Sequence, residues 1–592
     1  MSLINIKIEG IPYQVEEGIT ILEAARQCGY EIPSLCYFNH GECSQGSCRV
    51  CLVEVKGARG LVASCVYPVE EGQEINISSP RALKARRSSV ELLLSNHCQD
   101  CTQCRKNGSC ELLAVATITG ARVDKFKGSK TETFYDDGNP SIIRDTSKCV
   151  LCGRCIQRCQ NAHGNGILGF ENRGFKTIVG PAGNIKFSES PCLLCGQCVS
   201  VCPTGALMAK SEQSRVYDAM QAGKHVVVQT APAVRAGVGE LFDEPVGTAY
   251  TGKMVAALRR LGFTKVYDTD FGADLTIMEE ATELLGRIKN GGPLPMITSC
   301  SPGWINYAET YYPDLLPHVS TCKSPHQMQG AILKSYYAQQ NGLDPKDIFV
   351  VSIMPCTAKK FEKERPQQRN AEGLPDVDAV LTAREFGDMV KRTGMRIHRL
   401  ADEEYDQDIM GAYSGAGVIF GVTGGVMEAA LRTAYYVLEG KEAEPIEFTQ
   451  VRGFDDIKEA SLEVGGMTVN IAVTSGMKNA RVLLDEIRAG TSKYHFIEIM
   501  CCPGGCINGG GMPYVRPRFL PREDPNILDL YREKRAAALY SEDERQTVRQ
   551  SHNNPQIKEL YEKFLGEPNS HLAHELLHTT YAARQPFRIE KK

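Results

Sequence analysis

The chain has 592 residues, with 67 Lys and Arg against 71 Asp and Glu and a formal net charge of −4. This near balance argues against a protein that binds nucleic acid or an anionic membrane, because both partners call for a basic excess. Hydrophobic residues make up 42% of the chain, which argues against disorder and predicts several packed domains.

Cysteine usage indicates bound metal. Of the 24 cysteines, 18 lie in residues 1–202. The N-terminus lacks the pattern of a signal peptide, and the apolar runs are too short to span a bilayer. We therefore expect a cytoplasmic protein, with no membrane and no nucleic-acid partner, whose reduced thiolates bind metal.

Taken in chain order, residues 1–80 predict a small β-rich domain. The alternating segments Ile4–Ile8 and Tyr13–Val15 predict two strands. Thr20 and Glu23 have the spacing of a capping box, which predicts the start of a short helix.

Four further segments follow the first. A basic helix, Arg81–Asn96, opens a Cys-rich second segment, and the third contains two Cys-rich stretches about forty residues apart. In the fourth, short apolar runs alternate with helical patterns, which predicts parallel α/β sheets, and the last is charged and helical. The whole is an α/β multidomain protein, and these segments span residues 81–125, 140–210, 220–520 and 525–592.

The first cysteine array predicts a two-iron cluster. Its spacing is C-x11-C-x2-C-x13-C, which is the plant-type ferredoxin solution to binding two bridged irons, and it predicts an N-terminal β-grasp, ferredoxin-like domain. Four thiolates also suit zinc, although the preceding strands and helix favour iron. Cys43 lies in the same loop outside this spacing, and we interpret it as a non-ligand. The predicted [2Fe–2S] ligands are Cys36, Cys48, Cys51 and Cys65.

The second array combines one histidine with three cysteines. The pattern H-x3-C-x2-C-x5-C can supply an imidazole and three thiolates. Its spacing alone suits either zinc or a [4Fe–4S] cubane, and the neighbouring iron–sulfur patterns favour the cubane. The predicted ligands are His97, Cys101, Cys104 and Cys110.

Two C-x2-C-x2-C-x3-C runs are the most specific local signals in the chain. They have the pattern of bacterial two-cluster ferredoxins, in which the fourth cysteine of each run ligates the other cluster. One predicted cubane has the ligands Cys149, Cys152, Cys155 and Cys202. The other has the ligands Cys192, Cys195, Cys198 and Cys159.

Three cysteine motifs lie further along, each directly after a predicted buried strand. Ligands in α/β sheets bind beyond the carboxyl ends of strands, so we expect these thiols to surround one site. Isolated buried cysteines are the alternative, and the glycines around the third motif argue against it. The motifs run over 298–304, 354–359 and 498–506.

These motifs resemble the signatures T-S-C-C-P-x-W, M-P-C-x-x-K-x-x-E and E-x-M-x-C-x-x-G-C-x-x-G of the [FeFe]-hydrogenases, and the resemblance extends over nearly the whole chain. Residues 1–210 are similar to the accessory-cluster region of the larger members. They are also similar to a complex I subunit, which lacks the three later motifs. The resemblance implies a two-lobed α/β hydrogenase domain over 220–520 with a short helical tail.

The resemblance also implies a cofactor, the H-cluster. This is a [4Fe–4S] cubane joined through a cysteine sulfur to a di-iron unit that carries CO, cyanide and a bridging azadithiolate. By position, Cys356, Cys502 and Cys506 are ligands, and Cys506 is the bridge. Lys359 would hydrogen-bond a cyanide, and Met354 and Met500 would pack against the di-iron unit.

The first motif departs from the family pattern, because this chain has Cys300-Ser301 where the family has two cysteines. In the family the second cysteine ligates the cubane and the first relays protons. A hydroxyl is a poor iron ligand, so either Cys300 becomes the ligand, which we favour, or Ser301 or a water completes the cubane. The rest of the family's relay matches Glu280, Glu283 and Ser320. Five cysteines are left without a role: Cys28, Cys43, Cys98, Cys322 and Cys501.

The implied reaction is the reversible oxidation of H2 to protons and electrons. The electrons would pass through one [2Fe–2S] and three accessory [4Fe–4S] clusters. The chain has no Gly-rich dinucleotide fingerprint, so we do not expect it to bind NAD itself. Its four-cluster layout resembles the catalytic subunit of multimeric NAD(P)-linked or electron-bifurcating hydrogenases. That resemblance implies a separate flavoprotein subunit that uses NAD(P), a small [2Fe–2S] subunit, ferredoxin as a further carrier, and a role in electron bifurcation. The alternatives are a stand-alone ferredoxin-dependent hydrogenase and a hydrogenase-like redox sensor, which the Cys300-Ser301 pair keeps open.

Overall fold

The computed structural model describes residues 2–39, 42–515 and 527–587. The boundary that we predict between residues 520 and 525 lies outside this part of the chain, as do residues 588–592. The chain forms two compact units. Unit 1 comprises Met1–Ser190, Gln197–Met208 and Tyr514–Leu530, and unit 2 comprises Pro191–Gly196, Ala209–Pro513 and Tyr531–Lys592.

Unit 1 consists of short strands and helices joined by long cysteine-bearing loops. Its elements are β1 (Leu3–Ile8), β2 (Ile11–Glu16), α1 (Ile21–Gln27), β3 (Leu52–Val55), β4 (Val62–Ala63), β5 (Glu74–Asn76), α2 (Pro80–Asn96), α3 (Glu111–Thr119), β6 (Tyr135–Asp136), β7 (Ile142–Asp145), α4 (Arg154–His163), β8 (Gly169–Glu171), β9 (Ile178–Gly180), α5 (Gln197–Val201) and β10 (Leu207–Ala209).

A five-stranded sheet forms the N-terminal part of unit 1, in the order β2-β1-β5-β3-β4. Strand β1 alternates exposed and buried residues, as its sequence predicts, and pairs antiparallel with β2 and parallel with β5. Helix α1 begins with the predicted capping box, in which Thr20 accepts the Glu23 amide and Glu23 accepts the Thr20 amide. The two strands and the start of the helix lie where the sequence predicts them.

Unit 2 and the C-terminal segment contain most of the regular structure. The elements are α6 (Gln213–Gln221), β11 (His225–Thr230), α7 (Pro232–Arg235), α8 (Thr251–Arg260), β12 (Lys265–Asp268), α9 (Asp270–Asn290), β13 (Met296–Ile297), α10 (Pro302–Tyr311), α11 (Pro325–Ile332), α12 (Ala338–Asn341), β14 (Ile348–Met354), α13 (Ala358–Glu362), β15 (Ala379–Thr382), α14 (Ala383–Arg392), α15 (Gly415–Ile419), α16 (Gly425–Glu439), β16 (Ile457–Val464), β17 (Met467–Ser475), α17 (Met477–Arg488), β18 (Phe496–Met500), α18 (Ile527–Arg545), α19 (Pro555–Leu560) and α20 (His571–Leu577).

Two four-stranded sheets organise unit 2. The first, β12-β11-β14-β15, is entirely parallel. The second, β13-β18-β17-β16, is parallel except for its β16 edge. Strands β11, β14 and β18 are nearly wholly buried, as expected of parallel strands covered on both faces. The mixed α/β class predicted from the alternating pattern is confirmed.

Helices cover both sheets of unit 2. The long helix α9 packs against α11 and α16. A π-helical turn at Leu333–Tyr337 separates α11 from α12. Within the described ranges, every helix is too short or too polar to cross a bilayer.

Candidate functional site

A cavity enclosing about 800 Å³ of empty space lies in unit 2 where strands of both sheets end. Met354 ends β14, Met500 ends β18, and both side chains line the cavity. Sites beyond the carboxyl ends of parallel strands are the usual ligand positions of α/β sheets. The walls carry six cysteines, Cys195, Cys300, Cys356, Cys501, Cys502 and Cys506.

The three cysteines predicted as cubane ligands from the family pattern lie together in this cavity. Burial, with a contribution from Cys502, raises the pKa of the Cys356 thiol to about 12. Burial and Cys356 likewise raise the pKa of Cys506 to about 12. Such thiols stay uncharged on their own, whereas a bound metal deprotonates its sulfur ligands. A donor set of several buried thiols therefore fits an iron–sulfur group.

Close backbone packing holds the cysteine loops together. Gly505 has a φ of +92°, and a Cβ there would lie 2.6 Å from the amide nitrogen of Thr423. A Cβ on Gly509 would lie 2.3 Å from the carbonyl oxygen of Pro355, the residue before Cys356. Only glycine permits these approaches, so the third motif is pressed directly against the second.

Lys359 extends into the cavity from α13. Its Nζ donates to the backbone carbonyl of Cys300 at 3.1 Å and to Glu362 at 2.8 Å. Burial alone would raise the pKa of Glu362, but Lys359 and His326 lower it to about 2, so the carboxylate stays charged. The ammonium group is thereby fixed at the cavity wall, where it can donate to an anionic ligand.

His326 lies on the far side of Glu362 and also lines the cavity. Its Nε2 is 2.5 Å from Glu362, and its Nδ1 is 3.1 Å from the hydroxyl of Ser352. Burial and the charge of Lys359 lower the pKa of His326 to about 4, so the ring is neutral at physiological pH.

Cys300 and Ser301 have different surroundings within the cavity. Burial raises the pKa of Cys300 well above its usual value, and its titratable neighbours include Glu280, Lys359 and Cys506. Ser301 instead accepts the backbone N–H of Cys501 on its Oγ at 3.0 Å.

The predicted relay residues contact one another in space, and Glu280 is the one near Cys300. Burial, with repulsion from Glu283, raises the pKa of Glu280 to about 8, so this carboxyl holds a proton at neutral pH. Glu280 is hydrogen-bonded with Ser320, whose Oγ donates to Glu283 at 2.9 Å. Glu283 pairs with Arg287 at 2.6 Å and is less deeply buried than Glu280. The arrangement can move a proton from Cys300 outwards.

In unit 1, the four predicted [2Fe–2S] cysteines are buried and in mutual contact. Hydrogen bonds with Cys48 and Cys65 lower the pKa of Cys36, and a hydrogen bond with Cys65 lowers that of Cys51 to about 7. Cys43 lies apart and donates to the Arg154 carbonyl, in keeping with its interpretation as a non-ligand.

The histidine of the second array has the orientation of a ligand. The Nε2 of His97 is buried and has no hydrogen-bond partner in the part of the chain that the structure describes. A buried imidazole nitrogen without a partner is costly unless it binds something. Cys104 is among the groups that raise the pKa of Cys110, after burial, and Cys101 is exposed.

One of the two predicted ferredoxin-type sites appears as a cavity in unit 1. It encloses about 440 Å³ and is lined by all four predicted thiols, including Cys202 from the second run. The residues predicted for its neighbour divide between the units, with Cys159 and Cys198 in unit 1 and Cys192 and Cys195 in unit 2. That ligand set stays a prediction.

Two cavity residues were not predicted from the sequence. His326 stands in an ordinary helix start, and nothing in its neighbourhood signals that it contacts Glu362. Cys501 directly precedes the motif cysteine Cys502, and this adjacency in the sequence indicates that it lies near the site.

Family models match five stretches of the chain. Residues 224–510 match the family "Iron only hydrogenase large subunit, C-terminal domain", and 521–584 match "Iron hydrogenase small subunit". Three iron–sulfur families match the N-terminal part. They are the "2Fe-2S iron-sulfur cluster binding domain" at 2–80, the "NADH-ubiquinone oxidoreductase-G iron-sulfur binding region" at 86–123 and the "4Fe-4S dicluster domain" at 148–206.

Several known proteins are similar over long stretches. "NADP-reducing hydrogenase subunit HndD" of Solidesulfovibrio fructosivorans is 47% identical over 99% of this chain and 100% of its own length. "Iron hydrogenase 1" of Clostridium pasteurianum is 44% identical over 98% of this chain and 99% of its own. A solved structure of the [FeFe]-hydrogenase HydA1 from Chlamydomonas reinhardtii matches with a TM-score of 0.56 and 42% identity, covering 63% of this chain and 99% of that one.

Proposed function

The chain belongs to the [FeFe]-hydrogenase family and is a hydrogenase, and on that premise we propose that it is the H2-converting subunit of a larger NAD(P)-linked enzyme. The reaction is the reversible oxidation of H2 to protons and electrons. The cavity of unit 2 would hold the H-cluster, and the cysteine sites of unit 1 would carry the electrons.

The observation that carries this proposal is that several thiols and the ammonium group of Lys359 line the same cavity. Cys356, Cys502 and Cys506 come from motifs nearly 150 residues apart and line one cavity with Lys359. Three thiolates suit a cubane, and the ammonium group suits an anionic ligand of the di-iron unit. Buried Met354 and Met500 give the cavity a soft apolar wall.

The H-cluster supplies an iron site at which H2 is split or formed, with CO, cyanide and azadithiolate as its small ligands. The chain's own residues bind this group, orient it and serve its protons. Lys359 is held towards the cavity by Glu362. Glu280 holds a proton at neutral pH and passes it by way of Ser320 to the less deeply buried Glu283.

Electrons would travel through one [2Fe–2S] and three [4Fe–4S] accessory clusters. Their proposed ligands are the fifteen cysteines and His97 identified from the spacings. The contact among the first four thiols, the unpartnered His97 Nε2 and the four-cysteine cavity of unit 1 support three of these sites. For the fourth donor of the H-cluster cubane, the sequence leaves Cys300 and Ser301 as candidates.

The proposed partners rest on the resemblance of the four-cluster layout to the catalytic subunits of multimeric hydrogenases. We propose a flavoprotein subunit that handles NAD(P), a small [2Fe–2S] subunit, and ferredoxin as a further carrier in electron bifurcation. The full-length similarity to a subunit of an NADP-reducing hydrogenase supports this reading. Because the clusters require reduced thiolates, the cytoplasm is the proposed compartment.

Infrared spectroscopy of the protein after insertion of the di-iron unit tests the function. We expect bands of bound CO and cyanide, together with H2 evolution from a reduced dye. Cys506→Ala should abolish the bands, while Cys322→Ala, a change at a buried cysteine outside the proposed ligands, should keep them. Zinc in place of iron, or iron without these bands after insertion, would overturn the proposal.

A further inference from the structure

The cysteines of the cavity differ from the family pattern at two positions. One family cysteine is missing, and one additional cysteine is present elsewhere. Ser301 stands where the family has its fourth cubane cysteine. The third motif, E-x-M-x-C-x-x-G-C, leaves its second variable position open, and this chain has Cys501 there. The two departures are 200 residues apart in sequence.

The structure brings these two positions into contact. The backbone N–H of Cys501 donates to the Oγ of Ser301 at 3.0 Å, and both residues line the cavity. The Cys501 sulfur also packs on Gly303, where an added Cβ would lie 2.5 Å away. The extra thiol is therefore located beside the hydroxyl that replaces the missing one.

The Cys501 thiol has three cysteine neighbours in the cavity. A hydrogen bond with Cys195, followed by burial, raises the pKa of its thiol well above the usual value. Cys502 and Cys356 are the next thiols among the groups that raise it. Its neighbours are thus Cys195, a predicted ligand of an accessory cubane, and two of the three proposed ligands of the H-cluster cubane.

Cys300 faces a different part of the cavity. After burial, the groups that shift its pKa are Glu280, Lys359, Cys506 and Glu498. Glu280 begins the proton relay, Lys359 is the proposed cyanide donor, and Cys506 is the proposed bridge to the di-iron unit. A di-iron unit held through Cys506 and Lys359 would therefore lie near Cys300, which could then carry a proton between that unit and Glu280.

We propose that Cys501 supplies the fourth thiolate of the H-cluster cubane in place of Ser301, and that Cys300 keeps the proton-carrying position. This inference rests on the proposed function. On cluster assembly the Cys501 thiol gives up its proton, as each cysteine ligand does. A thiolate binds iron far better than an alkoxide, because the hydroxyl pKa lies well above neutrality.

The test uses the full chain without the di-iron unit, so that its readout does not depend on turnover. Iron and acid-labile sulfide are counted per chain, and the reduced clusters are recorded by electron paramagnetic resonance. The variants are Cys501→Ala, Cys300→Ala, Ser301→Ala and the double change Ser301→Cys with Cys501→Ala. Cys322→Ala is the matched control, since Cys322 is also buried in unit 2.

We expect Cys501→Ala to lose about four irons per chain, the content of one cubane, and its resonance. The double variant should regain both, because it restores the family's own ligand. Cys300→Ala and Cys322→Ala should keep their iron. Loss of the cubane in Cys300→Ala or Ser301→Ala with retention in Cys501→Ala would overturn the inference, as would retention in all of the variants.

A second measurement covers the case in which Cys501→Ala fails to fold. Cys501 is replaced by selenocysteine enriched in selenium-77, which preserves shape and ligand type. A hyperfine splitting of the reduced cubane signal is expected from position 501 and not from position 300, and the reverse result would contradict the assignment. If the parent chain assembles no cubane in unit 2 at all, the proposed function fails rather than this inference.

Discussion

At the scale of single residues, the neighbouring Glu279 and Glu280 on α9 differ in their hydrogen bonds, and this difference gives them different roles. Glu279 accepts the Tyr561 hydroxyl, the Asn569 amide at 2.8 Å and His578 at 3.1 Å. Glu280 is as deeply buried, yet one of its oxygens has no partner in the described structure. The first carboxylate is fully satisfied and structural, whereas the second is free to exchange a proton.

Glu280→Gln should lower H2 turnover by about a hundredfold or more, because an amide cannot relay a proton. Iron content and infrared bands should match the parent. Glu279→Gln is the paired control, and it should lower the melting temperature while each assembled cluster keeps most of its turnover. Equal losses of turnover in both variants would argue against a relay through Glu280.

His326 gives the site a predictable acid sensitivity. Its pKa is about 4 in the folded protein and near 6.5 in an unfolded chain, so only the unfolded state gains a proton between these values. Proton uptake therefore stabilises the unfolded state below pH 6.5. The free energy of unfolding is highest above pH 6.5 and decreases as the pH falls towards 4. Relative to His326→Gln, the parent should lose about 1 kcal/mol of stability between pH 7 and 5.5.

Anaerobic denaturant titrations at both pH values measure this difference. His398→Gln removes an exposed histidine and should keep the parent's pH dependence. A parent and a His326→Gln variant that respond equally to acid would show that the buried ring is not held neutral.

At the scale of elements, the strands and their motifs were readable from the sequence, but the contacts between motifs were not. Apolar runs such as Ile348–Met354 predict buried parallel strands, and cysteines after such runs predict a shared site. The contact of Gly509 with Pro355 depends on how two sheets meet, which no local pattern encodes. The neighbours of Cys501 were hidden for the same reason.

The C-terminal helices depend on one buried cap. Asn554 accepts the amides of Gln556 and Ile557 at the start of α19, and it donates to Asp274 and to the Ala412 carbonyl, each at 2.9 Å. Its side chain thus fixes the C-terminal segment to the middle of unit 2.

Asn554→Ala should lower the free energy of unfolding by about 2–4 kcal/mol, combining a lost helix cap with a buried acceptor left unpaired. Asn553→Ala, a change at the adjacent half-buried residue that donates to Glu442, should cost less than about 1 kcal/mol. Chemical denaturation of the three proteins measures both values. Similar losses for the two variants would show that the cap is not specific.

At the scale of the whole molecule, we propose that different parts of the chain convert H2 and deliver the electrons. The Chlamydomonas enzyme is matched over 99% of its length by only 63% of this chain, so a hydrogenase of this family can lack the remainder. Residues 1–208 contain all the proposed accessory ligands and none of the three later motifs. Their role should therefore be separable from the chemistry.

A shortened chain that begins at residue 209 tests this separation. It retains the cavity residues except Cys195, and we expect it to assemble the H-cluster and to oxidise H2 with a small dye that reaches the cluster directly. It should fail to pass electrons to the flavoprotein partner, because the proposed accessory clusters are missing. The full chain measured with dye and with partner is the control. A shortened chain that reduces NAD(P) through the partner as fast as the full chain would show that electrons leave by another route.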